Sequence, residues 1–106
     1  MGKIDPKIIK ALRKFKEASA KKYHVLDIIF FGSRATGTYR KDSDIDLLVV
    51  VKEYDKGLYE KLITEWHDRQ NIHYPVDFIQ CSKKRFDEMS KGINIVSQAL
   101  KEGMVI

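Results

Sequence analysis

The sequence predicts an α/β (α+β) domain in which helices pack on a small mixed sheet of three strands. Three observations carry that prediction. Short β-branched and aromatic runs occur at Val25–Phe31, Ile45–Val51 and Val76–Gln80, the composition of strands. Stretches with a helical apolar period separate and follow them. The alternation gives the order α-β-(α)-β-α-β-α-α, which is that of helices laid on a sheet. Residues 1–106 read as a single domain, because this length suits one core and no repeat, low-complexity tract or long linker divides it.

Asp5-Pro6 starts the first helix, with Asp as N-cap and Pro in the first turn, where its missing N–H costs nothing. Ile8, Leu12, Phe15 and Ser19 recur at i, i+4, i+7 and i+11, an amphipathic pattern expected to end near Lys21. Lys10, Lys14 and Lys21 fall on the outer face and read as solvation. Val25–Phe31 is the first strand. The polar, basic loop 32–43 follows, and its Ala35-Thr36-Gly37-Thr38 can form a short helical turn. The second strand, Ile45–Val51, is apolar almost throughout, as for a central strand buried on both faces. After a polar break at 52–56, Leu58, Leu62, Glu65-Trp66 and Arg69 carry a helical period, with Tyr59 and Ile63 widening the stripe. Pro75 introduces the third strand, a position Pro tolerates. Ser82 is the N-cap of a short helix containing Phe86 and Met89, broken at Gly92. Ile93, Val96, Leu100 and Met104 mark a last helix, ended by Gly103, and Val105-Ile106 reads as the start of an extended segment. A three-stranded sheet is marginal alone, so the helices must supply most of the core.

Hydrophobic residues make up 43% of the sequence and the formal net charge is +5. The first excludes a disordered chain. The second favours an anionic ligand without naming one. The one cysteine, Cys81, rules out an internal disulfide and fits a reducing compartment. MGKIDPKIIKAL lacks the apolar core of a signal peptide, and the longest apolar run, Leu47–Val51, is far too short to span a bilayer. Met1-Gly2 lacks the Ser or Thr at position 6 that favours myristoylation. The expectation is a cytoplasmic protein with no membrane partner.

The stretch from Phe30 to Val51, FFGSRATGTYRKDSDIDLLVVV, concentrates the chemistry. Strand alternation puts Asp44 and Asp46 on one face. Two ionised carboxylates about 4 Å apart repel by about 4 kcal/mol at an effective dielectric of about 20. Either one is protonated or a cation lies between them. A hard cation such as Mg2+, held by carboxylates and substrate phosphates, is the economical answer. Asp77 is isolated within an apolar segment, where a charge is costly unless paired or coordinated. If the second and third strands are parallel neighbours, Asp77 lands beside Asp46. Three carboxylates can hold two metals, a layout for in-line displacement at phosphorus. Gly32-Ser33 must then lie near Asp44, so the first two strands run antiparallel. Gly32 lets the backbone approach a phosphate closely. The N–H groups after it would point at the β and γ phosphates of a nucleoside triphosphate. The Ser33 hydroxyl adds a donor, and Arg34, Arg40 and Lys41 offer cations.

Each motif also has an ordinary reading. Gly-Ser after a strand is commonly a turn. Ser43-x-x-Asp46 matches a helix capping box by pattern, although the Val49-Val50-Val51 run opposes a helix there. Asp77 can serve a surface salt bridge. It is the joint spacing that points to a site. His24, His67 and His73 have no Cys or His partners at zinc-ligand spacing. Trp66 reads as core and Cys81 as packing. Ser33 lacks the Gly-x-Ser-x-Gly elbow of a nucleophile, and no Walker A sequence is present.

Gly32-Ser33, ten residues, then Asp44-x-Asp46 and a later strand acid at Asp77 resembles the signature of the DNA polymerase β-like nucleotidyltransferase superfamily. The string GSRATGTYRKDSDIDLLVV resembles its minimal nucleotidyltransferase (MNT) branch. The resemblance runs from the first helix to the region of Gly103. It implies the nucleotidyltransferase fold, with Gly32 and Ser33 at the nucleotide phosphates, where the loop cation Arg34 is also a candidate nucleotide-binding residue. It also implies Asp44 and Asp46 as ligands of two Mg2+ ions, and Asp77 as third ligand and base or base-positioner. The implied reaction is Mg2+-dependent transfer of a nucleoside monophosphate, AMP from ATP, to a hydroxyl. Larger relatives carry an extra domain that grips the acceptor. Without one, this chain resembles the stand-alone MNT proteins paired with a helical HEPN partner. In such pairs the MNT member is an antitoxin that transfers AMP to a tyrosine of the HEPN ribonuclease toxin.

Three other classes stand beside that expectation. One is a non-catalytic antitoxin, a binding module that neutralises its partner through an apolar patch on the last helix or at Val105-Ile106. Another is a small-molecule, antibiotic-type nucleotidyltransferase whose acceptor site is completed by a second copy, so a homo-oligomer stays open. The third is a polymerase, for which the chain is too short to grip primer and template, so nucleic acid is not an expected partner.

Overall fold

The computed structural model describes residues 4–38, 40 and 43–106. Helix α1 (Pro6–Tyr23) opens with Asp5, whose side chain accepts from the Lys7 N–H, and Pro6 occupies its first position. It buries Ile8, Leu12, Phe15 and Ser19, the four residues of the apolar period. It runs two residues past Lys21, to Tyr23, because His24 adopts the left-handed conformation (φ 57°) and donates its N–H to the Ser19 carbonyl, a C-terminal stop that glycine fills more often.

Strand β1 (Val25–Phe31) follows, then the short helix α2 (Ser33–Thr36) and strand β2 (Ile45–Val51). Helix α3 (Leu58–Thr64) continues into a π-helical turn over Glu65–Arg69 and leads to β3 (Val76–Ser82). Helices α4 (Lys83–Met89) and α5 (Ile95–Glu102) and strand β4 (Met104–Val105) complete the chain. Ser82 caps α4 by accepting from the Arg85 N–H. Asn94 caps α5 in a reciprocal pair with Ser97. The α5 boundary therefore leaves Ile93 and Met104 outside the helix, although both fit its apolar spacing.

Among the described residues the sheet has four strands, in the order β3-β2-β1-β4, not three. The added strand pairs antiparallel with β1, Ile29 against Val105 and Phe30 against Met104. Two residues are too few to show an alternation. What makes room for them is Gly103, where a side chain would collide with the carbonyls of Phe30 and Ala99. β1 and β2 are antiparallel and β2 and β3 parallel, as expected. Strand β3 continues two residues past Gln80 and carries Cys81 into the interior.

The sheet separates two apolar layers. Ile28, Phe30, Leu47, Val49 and Phe78 face α1 and α3 in the larger core. Ile29, Leu48, Val50 and Cys81 face Val96 and Ala99 of α5 in the smaller one. Period-2 alternation sorts neighbouring residues of one strand into opposite layers. In the larger core Phe15 meets Trp66 edge-to-face at 5.2 Å and stacks on Phe78 at 5.5 Å. The Trp66 indole N–H donates to the Tyr74 carbonyl at 2.9 Å, so this core residue also ties down the approach to β3.

Glu65 is a charged member of this interior. It is fully buried and accepts from Lys22 Nζ at 2.8 Å and Gln70 Nε2 at 2.6 Å, with Arg69 at 3.6 Å. Burial pushes its carboxyl up, but those hydrogen bonds and the charges of Lys22 and Arg69 outweigh burial and hold it below its usual range. A lowered folded-state value stabilises the fold above the free carboxyl's value of about 4.3 and is lost as pH falls through the folded value. Lys22 and Arg69 are about half exposed and can return to water. Glu65→Gln is therefore expected to cost about 1–3 kcal/mol at neutral pH, read by urea denaturation, and to flatten the acid limb of Tm against pH. Equal destabilisation at pH 7 and at pH 3 would contradict this account.

Candidate active site

The site lies where β1 ends and β2 and β3 begin. Phe31 pairs with Asp46 across the antiparallel ladder, and Asp46 pairs with Asp77 across the parallel one. One β2 residue therefore touches both registers. Asp46 and Asp77 project to the same side as Leu48 and Cys81, the α5 side, because alternate residues of paired strands share a face. Asp44 precedes β2 by one residue and is exposed, Asp46 is half-buried, and Asp77 is exposed. The cost of an acid in an apolar strand thus falls on Asp46 and not, as its isolation in sequence implies, on Asp77. Burial, then the Asp77 charge, then the Asp44 charge all push the Asp46 carboxyl up.

Gly32 turns the chain from β1 toward these acids. Its backbone (φ 81°, ψ −167°) lies in a region open essentially to glycine alone. A side chain there would fall on the Asp46 carboxylate. α2 starts at once, and the Gly32 carbonyl accepts from the N–H groups of Ala35 and Thr36, both at 3.1 Å. Gly37 closes this single turn in the left-handed conformation (φ 82°), donating to the Ser33 carbonyl. Ser33 is thus held at the first position of the turn, next to the acid edge.

Arg34 is placed differently from an open phosphate ligand. It is buried, its Nε donates to the Ser43 carbonyl at 3.0 Å, and its guanidinium lies 5.4 Å from the centre of the Tyr74 ring. It braces both ends of the loop against the segment entering β3. Arg40 is exposed, and its N–H donates to Ser43 Oγ. Lys41, the remaining loop cation, lies outside the described residues. Tyr74 belongs to no motif, and the signal it leaves in sequence is an aromatic directly before Pro75 and an acid-bearing strand.

The donors at this edge are carboxylate oxygens, the set a hard divalent cation takes. Among the described residues, no three His, Cys, Asp or Glu side chains are gathered tightly enough to hold an ion as they stand. The donor chemistry fits Mg2+, and the raised Asp46 carboxyl marks where a cation would relieve repulsion.

A family of nucleotidyltransferase domains matches residues 12–103, a stretch that contains the loop and all three acids. The chain belongs to the nucleotidyltransferase domain family. Nucleotidyl transfer is the class of chemistry this family carries. A crystal structure at 1.40 Å of a candidate nucleotidyltransferase from Sulfolobus solfataricus is similar in fold, with a TM-score of 0.58 and 24% identity over 93% of this chain and 78% of that one. Comparison with curated proteins finds no match. No helix among the described residues is long and apolar enough to cross a membrane.

In this nucleotidyltransferase domain, Gly32→Ala tests the loop geometry. The Asp46 carboxylate can rotate aside, but the backbone conformation cannot be relieved that way. The expected cost is about 1–3 kcal/mol in urea denaturation, with the same loss when Gly32→Ala is added to Asp46→Ala and compared with Asp46→Ala alone. If the loss disappears in the Asp46→Ala background, steric contact and not backbone conformation is the cause.

Proposed function

We propose that this domain catalyses Mg2+-dependent transfer of AMP from ATP to a hydroxyl of a protein acceptor. The observation that carries the reading is the Asp46–Asp77 register pair facing the Gly32-Ser33 turn. In it, Gly32 and Ser33 take the triphosphate through backbone N–H groups and the Ser33 hydroxyl. Arg34, committed to Ser43 and Tyr74, acts by shaping the loop that meets those phosphates. Asp44, Asp46 and Asp77 would hold the Mg2+ ions. Bound there, such ions would supply neutralisation of the charge that develops on the phosphates. Asp77, the exposed acid, receives the proton of the acceptor hydroxyl. The acceptor oxygen forms a bond to the α-phosphorus, the bond from that phosphorus to the β-phosphate oxygen breaks, and pyrophosphate leaves.

The MNT resemblance supports a tyrosine of a helical HEPN toxin as acceptor and an antitoxin role in the cytoplasm. The protein incubated with α-labelled ATP, Mg2+ and a HEPN protein is expected to transfer label to the partner. Asp44→Ala/Asp46→Ala is expected to lower that transfer at least about 100-fold. Equal labelling by the double variant would refute the assignment.

A second reading is a binding module that neutralises its partner by contact. Ile93, Ile95 and Leu100 around α5 and Val105 on the edge strand are exposed, an apolar surface such a module would use. Protection of cells from a co-expressed HEPN toxin separates the two. Under the catalytic reading Asp44→Ala/Asp46→Ala loses protection while Ile95→Glu/Leu100→Glu retains label transfer to a free tyrosine-containing acceptor. Full protection by the double Asp variant supports contact alone.

A further inference from the structure

We infer that the groove between α1 and the segment 70–74 is a second anion site that takes a nucleoside phosphate, apart from the acids. A cavity of about 590 Å³ opens there, within the roughly 300–1,000 Å³ range of small-ligand sites. It lies against Ile72 and α1, on the larger-core side of the sheet. Asp46 projects to the other side.

Its charge is one-sided. Lys7, Lys10 and Lys14 line it from α1, His73 from the opposite wall, and no Asp or Glu contributes. The three lysines stand at i, i+3 and i+7, so they share a face and span about 10 Å along the helix. Lys16, Lys22, Lys61 and Lys83 pair with Asp27, Glu65, Asp55 and Asp87. Among the described residues Lys7, Lys10 and Lys14 form no ion pair. An aqueous face alone accounts for lysines on a helix. It does not account for their lining a cavity free of acids.

The rest of the lining fits the body of such a ligand. Ala11 and Ile72 give an apolar floor and Tyr74 an aromatic wall. Gln70 also lines it, and with its amide nitrogen engaged by Glu65 its carbonyl oxygen is left as an acceptor for a base edge. Lysines at the rim suit phosphates and the flat, apolar interior suits a nucleoside. A polymer tracking a basic surface would need no cavity of this size. Tyr74 is also the ring beneath Arg34, so the groove and the Gly32–Thr36 loop share a wall.

The test is an amide-resolved NMR titration of the intact chain with ADP in EDTA, which withholds the divalent ion from the acid edge. Saturable shifts are expected at Ala11, Asn71, Ile72, His73 and Tyr74. Lys10→Gln/Lys14→Gln should weaken binding at least about tenfold, with its fold checked by circular dichroism. Asp44→Ala/Asp46→Ala should leave it unchanged. The inference is overturned by absent saturation, by shifts confined to 32–46, or by unchanged affinity in the lysine variant. Pyrophosphate binding as tightly as ADP would remove the nucleoside from the assignment. A single-stranded oligonucleotide or an acidic peptide binding more tightly than ADP would replace the ligand class.

Discussion

The structure depends on Asp46 being a partner in two ladders at once. Across the antiparallel ladder it faces Phe31, which delivers Gly32. Across the parallel ladder it faces Asp77. Side chains on strands alternate faces, so a slip of one residue in either register would send one carboxylate to the opposite layer. The apolar residues behind it prevent that slip. Ile45, Leu47 and Val49 are committed to the larger core, Leu48 and Val50 to the smaller one. A slip would turn Asp46 into the larger core, where an unpaired carboxylate is costly. The like charges brought together by this arrangement raise the Asp46 carboxyl, a cost the fold bears in the absence of a cation.

The two layers contribute unequally. The aromatic cluster of Phe15, Trp66 and Phe78 ties α1, the π-helical turn and β3 together. Trp66 also anchors the Tyr74 carbonyl, and the next carbonyl, that of Pro75, accepts from the Ile45 N–H at 2.8 Å. A chain of contacts thus runs from the deepest core to the first residue of β2. The acids sit on the other face, beyond a thinner layer supplied by α5. Rigid support on one side and an open approach on the other is the arrangement expected of a site that must hold its own geometry and admit a large ligand.

Much of this was legible because burial and alternation leave a direct trace in sequence. The period Ile8, Leu12, Phe15, Ser19 names the buried face of α1 even at Ser19, whose hydroxyl returns to the Phe15 carbonyl at 2.8 Å. The acid spacing with the strand runs gave the order and directions of β1, β2 and β3. What stayed hidden depends on contacts between segments distant in sequence. β4 exists because Gly103 has no side chain to strike Phe30. Glu65 reads as an ordinary helical charge until Lys22, forty-three residues away, is placed beside it. Arg34 reads as a free cation in a basic loop, and only Tyr74 and the Ser43 carbonyl, brought together by folding, turn it into a brace.

That brace bears on how a protein of net charge +5 can present a negative site. Charges farther apart than about 8–10 Å are largely screened in physiological salt, so the local balance matters more than the total. At the acid edge Arg34 is turned inward onto the Ser43 carbonyl and the Tyr74 ring, and among the described residues no lysine forms an ion pair with Asp44, Asp46 or Asp77. The positive excess lies instead on the outer face of α1. A bare triphosphate meets repulsion at the edge and attraction along α1. A divalent cation on the phosphates would lessen the repulsion at the edge, since carboxylates and phosphates can share it as ligands. The carboxylates of Asp46 and Asp77 and the groove lysines of α1 thus lie on opposite sides of the sheet, which keeps the two charges from cancelling locally.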